Sequence, residues 1–124
     1  MIKTLILVGS GGFLGSSLRY LLSRYIESRW LSSFPYGTFG VNILGCLIIG
    51  LIYGLSIKNL ASGEIRLLLA TGFCGGFTTF SSFSYEFLSL MQDGQLWYAF
   101  LYCFGSLLAG LLAVWIGLTL IKML

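Results

Sequence analysis

Histidine is absent from this chain, and proline occurs only once, at Pro35. Acidic residues number four, and Lys and Arg together seven. Without histidine the commonest general base and metal ligand is missing, and no nucleophile, base and metal set is apparent in what remains. An enzyme is therefore not expected. The basic residues are scattered and form no run, which argues against a nucleic-acid surface. The three cysteines, Cys46, Cys74 and Cys103, fall one each in separate apolar segments with no CxxC spacing. They read as small apolar filler in helix interfaces, not as zinc or redox centres.

What the chain has in excess is apolar surface. It is 57% hydrophobic over 124 residues, with a mean hydropathy of +0.95. A soluble domain of this length cannot hide so much, so the fold class is an all-α integral membrane protein built as one compact bundle. Four transmembrane helices are drawn, at about residues 4–25, 39–57, 65–91 and 96–121, and together they make residues 1–124 a single four-span domain. Each has the roughly 20 residues that a helix needs to cross a bilayer. The connections are short and rich in turn formers. The N-terminal run carries Lys3 but is interrupted by Gly9, Gly11 and Gly12 and lacks an A-x-A-like cleavage site. It reads as a retained first span, not as a signal peptide.

Four spans put both termini on one side, together with Lys3, Lys58, Arg66 and Lys122; the other side has Arg19, Arg24 and Arg29. Four against three is nearly a tie, whereas a fixed orientation shows a clear cytoplasmic excess. Copies inserted both ways can pair antiparallel, and a bundle of four helices has little interior of its own for a polar path. An antiparallel, dual-topology homodimer is the expectation. Gly11 to Gly15, Gly50 to Gly54 and Gly72 to Gly76 have GxxxG spacing, and Ser106 to Gly110 is a small-xxx-small variant. These are read as packing faces. A dinucleotide loop at Gly9 fails because position 14 is Leu14 and no strand precedes it.

Residues 71–84, TGFCGGFTTFSSFS, break the apolar pattern. A continuous helix over 65–91 is about 40 Å long against a hydrocarbon core of about 30 Å. A break at Gly75-Gly76, near the bilayer midplane, relieves the excess and exposes carbonyls on one side and amides on the other. In an antiparallel dimer, paired carbonyls there suit a small hard cation. A fully packed glycine kink is the plainer alternative. Beyond the break, Phe80, Phe83 and Phe87 form one helical stripe, and Thr79, Ser82 and Glu86 another. Hydroxyls donate hydrogen bonds and a phenyl ring has a positive edge, so the surface suits a small anion. Glu86, the only carboxylate within a span, must lie near the interface or be hydrogen-bonded to hydroxyls. Asn42 is either glue between helices or a ligand-facing donor. Arg19 either snorkels to headgroups or attracts anions at a pore mouth. Tyr102 and Ser106, four residues apart, extend the polar track.

Three pieces carry a resemblance: G-G-x-x-G with Arg19-Tyr20, G-T-F-G-V-N-I-L-G around Asn42, and T-G-F-C-G-G-F-T-T-F-S-S-F-S-Y-E. In register over the whole chain, they closely resemble the fluoride channel family of the Fluc or CrcB type. The resemblance implies a dual-topology antiparallel homodimer with two pores in the bacterial inner membrane. It implies passive fluoride flow, highly selective over chloride, that relieves fluoride toxicity. It further implies that Phe80 and Phe83 line the pores by their ring edges and that Asn42 supplies an amide donor. Backbone carbonyls of Gly75 and Thr78 from both subunits would hold a structural sodium ion. Thr79, Ser81, Ser82, Tyr102 and Ser106 map onto the hydroxyl track, and Arg19 lies near the aqueous vestibule. Two rivals stand beside this reading. A proton-coupled exporter needs a carboxylate central in the first span, where this chain has Arg19. The other rival is a non-transporting scaffold.

Overall fold

Helix accounts for almost every residue, and there is no strand. The computed structural model describes Met1–Leu124. Its elements are α1 (Ile2–Arg29), α2 (Tyr36–Ile57), α3 (Gly63–Arg66), a π-helical segment (Leu67–Cys74), α4 (Gly75–Phe77), α5 (Phe80–Gln92) and α6 (Leu96–Lys122). Three of them, α1, α2 and α6, are long and apolar enough to cross a membrane. α1 runs 28 residues, about 42 Å, and so carries Glu27 and Arg29 beyond the expected end of the first span. α2 starts directly after Pro35, whose fixed φ suits a helix entry. At the start of α3, Ser62 caps the helix by accepting from the Ile65 amide at 3.2 Å, with Glu64 in the positive first turn.

The expected third span is divided. α3, the π-helical segment and α4 run on with helical torsions through Gly75. The chain leaves helical geometry at Thr78 (φ −96, ψ 158) and Thr79 (φ −150, ψ 120). The interruption is thus three residues beyond the expected Gly75-Gly76 site. Glycine permits a bend without requiring one, and here both glycines remain in the helix. Thr79 instead acts as the N-cap of α5, its hydroxyl accepting from the Ser82 amide at 3.2 Å. For the same reason Thr79 does not continue the α5 stripe of Ser82 and Glu86: it precedes the helix in extended conformation.

Packing follows the small residues. α2 lies along α6, and α1 along the π-helical segment and α4. At Gly15 the backbones come so close that a Cβ would collide with the Phe73 carbonyl oxygen and stand 2.9 Å from the Phe77 amide nitrogen. Backbone cannot swing away as a side-chain tip can, so Gly15→Ala is expected to cost about 1–3 kcal/mol. Thermal loss of the folded protein in detergent checks this; an unchanged midpoint would place α1 elsewhere. Only 20 of the 124 residues are buried, so the remaining apolar surface requires lipid or a second copy to cover it.

Candidate functional site

The departure at Thr78 and Thr79 has to satisfy its backbone polar groups, because a helix end leaves amides and carbonyls orphaned. Asn42, on α2, does so with both ends of its amide. Its Oδ1 accepts from the Thr79 amide at 2.8 Å, and its Nδ2 donates to the Thr79 carbonyl at 3.1 Å. The side chain thus stands in for a neighbouring strand at one residue. Thr78 turns inward: its amide and hydroxyl both donate to the Cys74 carbonyl, at 3.0 Å and 2.8 Å. Its methyl rests on Gly45 of α2, where any Cβ would collide with it.

On the other side of the interruption, Arg19 reaches from α1 and its Nε donates to the Gly76 carbonyl at 2.9 Å. A cation at the carbonyl end of a helix is favourable for the dipole and supplies a hydrogen bond at once. Neither the snorkelling nor the pore-mouth reading of Arg19 includes this contact.

A cavity of about 430 Å³ opens beside the interruption, walled among others by Asn42, Thr78, Thr79, Phe80, Phe83 and Ser106. The Ser106 hydroxyl oxygen is buried and has no hydrogen-bond partner in the chain. Phe80 is 79% exposed and leans on Phe83 with ring centroids 5.9 Å apart. Phe83 faces inward, tilted against Tyr102 at 5.0 Å. Of the site residues singled out in the sequence, Asn42, Thr78, Thr79, Phe80, Phe83 and Ser106 converge on this cavity. Arg19, Gly75, Ser81, Ser82 and Tyr102 are not among its lining residues. The Ser81 hydroxyl lies 3.2 Å from that of Thr79.

Tyr102 is fully buried, and its hydroxyl donates to Glu86 Oε2 at 2.8 Å. Thr38, also buried, donates to Glu86 Oε1 at 2.7 Å. The carboxylate is therefore held between two hydroxyls from α2 and α6, one of the two environments expected for it. Thr38 was the member of this trio without a sequence signal; it sits one helical turn before Asn42 on α2. Tyr102→Phe keeps the ring but leaves Oε2 without its donor, and is expected to destabilise the protein by about 1–3 kcal/mol. Thermal denaturation in detergent checks this, and a wild-type midpoint would contradict the three-way arrangement.

The family model described as CrcB-like protein, Camphor Resistance (CrcB), matches residues 6–118. The chain belongs to the CrcB family. It is 49% identical over 120 residues to a protein of Chlorobium phaeobacteroides, covering 96% of this chain and 93% of the relative. It is 50% identical over 121 residues to one of Prosthecochloris aestuarii, covering 97% and 94%. To one of Thermus thermophilus it is 49% identical over 116 residues, covering 94% and 91%. Each of these relatives is named fluoride-specific ion channel FluC. Membership and the three long apolar helices together make this CrcB-family chain a multi-pass membrane protein.

Proposed function

We propose that this chain is a passive, selective fluoride channel of the bacterial inner membrane, working as an antiparallel homodimer with two pores and relieving fluoride toxicity, and not an enzyme. The observation that carries the reading is the buried, unpartnered Ser106 hydroxyl at the wall of a cavity that also exposes Phe80, Phe83 and Asn42. A buried donor without a partner calls for a ligand that accepts. Fluoride is small and strongly hydrated, so a pore must replace its water with several donors without holding it too tightly to leave. The Ser106 hydroxyl, the second amide hydrogen of Asn42 and the positive edges of Phe80 and Phe83 are such donors. Glu86 is compatible with an anion path because its two oxygens are occupied by Thr38 and Tyr102. Flow inward or outward follows the gradient. Hydrogen fluoride is neutral and enters from acidic surroundings, then ionises, and a negative interior drives the anion out.

The dimer reading rests on the near-tie of basic residues across the two faces and on the exposure of Phe80 beside an open cavity, to which a second copy would add a wall. The interruption at Thr78–Thr79 would then lie near the midplane, where the two copies meet. The residues present fit a structural sodium ion there. Thr79 gives its amide to Asn42, so the Gly75 carbonyl lacks the donor that a continued helix would supply. The Gly76 carbonyl is taken by Arg19, and Gly75 itself faces open space. The Gly75 and Thr78 carbonyls, from two copies, are hard, neutral oxygen donors that would hold such an ion, which would fix the two copies at their crossing.

The test is fluoride efflux from liposomes containing the purified chain, followed with a fluoride electrode. Efflux that needs only a potassium ionophore for charge balance is expected. Efflux requiring a proton gradient would point to an exchanger instead, and no efflux to a scaffold.

A further inference from the structure

The three cysteines, scattered in the sequence, lie on the wall of one cavity. Cys46 from α2, Cys74 from the π-helical segment and Cys103 from α6 all line the cavity described above. Each stands one helical turn from a polar residue of the same wall: Cys46 four residues after Asn42, Cys74 four before Thr78, and Cys103 three before Ser106. For the pairs on α2 and α6 that spacing puts both side chains on one helix face. None of the three is in a disulfide. Cys74 is almost wholly buried, whereas Cys46 and Cys103 are partly exposed. Apart from Thr79 and Gly45, the rest of the lining, Ile49 and Leu107 with the phenylalanines, is apolar.

We propose that this cavity is a modification site for small, apolar, thiol-seeking electrophiles of the organomercurial class, entered at Cys46 and Cys103, and that occupying it closes the anion path. The first half stands on the cavity alone, and the second rests on the channel reading above. Sulfur is the soft ligand that selects soft metals, and the apolar part of the wall favours a neutral, apolar reagent. Space is ample, since a cavity of about 150 Å³ already holds benzene, and this one measures about 430 Å³. With methylmercury chloride the step is a simple exchange. The sulfur–hydrogen and mercury–chlorine bonds break, and a sulfur–mercury bond forms. The proton and chloride leave to water, and nothing is oxidised or reduced. The methylmercury group then stands beside Asn42 or Ser106, where an anion has to exchange its water for their donors.

The experiment treats the full-length chain in liposomes with methylmercury chloride and reads two quantities, adducts by peptide mass and fluoride efflux by electrode. The expected result is an adduct on Cys46 or Cys103, loss of most of the efflux, and recovery with excess dithiothreitol. A Cys46→Ala, Cys103→Ala double variant, compared with its own untreated efflux, should resist; if it does not fold, the two single variants divide the effect between them. No adduct at either residue overturns the site. Full adduct with unchanged efflux, or equal inhibition of the variant, overturns the closure. Untreated protein without efflux would instead sink the channel reading, and adduct formation would still decide the site.

Discussion

Replacing Asn42 with alanine is expected to lower stability by about 2–6 kcal/mol, because it orphans both the amide and the carbonyl of Thr79 at about 1–3 kcal/mol each. Asn42 supplies the hydrogen bonds of both groups, and neither is paired with backbone at the interruption. Efflux should be lost with it, because the extended residues at the interruption position the cavity wall. Asn42→Asp separates the two roles of the side chain. It keeps an acceptor for the Thr79 amide but sets a charged oxygen against the Thr79 carbonyl and faces the cavity with negative charge. It should therefore fold better than the alanine variant yet conduct no more. Thermal denaturation in detergent, paired with efflux, checks both. A wild-type midpoint for Asn42→Ala would mean that the amide does not hold the interruption.

The second large effect is on conduction with little on folding. Phe80→Ile and Phe83→Ile keep apolar bulk and remove the ring quadrupole, whose positive edge is the feature suited to an anion. Each is expected to reduce fluoride efflux about tenfold to a hundredfold, equivalent to about 1.4–2.7 kcal/mol in barrier. Phe80 is largely exposed in the single chain, so its replacement should leave the melting of that chain nearly unchanged. Phe83 packs beside the buried Leu90, Ala99 and Tyr102, so its replacement should cost some stability as well. The split between the two variants makes the test specific. Unchanged efflux in both would remove the ring-edge argument.

How much of this was legible beforehand differs from residue to residue. The helical class and the long apolar elements follow from hydropathy and length, because burying backbone in lipid leaves little other choice. The division of the third span was readable from its excess length and its run of hydroxyls. Its position was displaced onto Gly75-Gly76 because glycine marks where a chain can bend, not where it must. The better signal was local: Thr79 with Ser82 three residues on is the spacing of an N-cap and its N3 amide. The partner that holds the interruption, Asn42, is 37 residues away, and no local pattern announces such a pairing. The same holds for Glu86. Its need for hydroxyl partners follows from charge in an apolar setting, but the choice of Thr38 and Tyr102 comes from how α2 and α6 face α5. Arg19 was read as a side chain reaching for water or for an anion, and the bond from its Nε to the Gly76 carbonyl had no signal in the sequence. The cysteines were the least legible, since their convergence depends on the rotation of three helices together.

The central claim is that the cavity wall of Ser106, Asn42, Phe80 and Phe83 selects fluoride. The most direct measurement is the reversal potential of the purified chain in a planar bilayer, with a fluoride gradient across equal chloride, repeated with the gradients exchanged. Currents that reverse near the fluoride equilibrium potential in the first case, and near zero under a chloride gradient with equal fluoride, are predicted. Reversal that follows chloride would contradict the account.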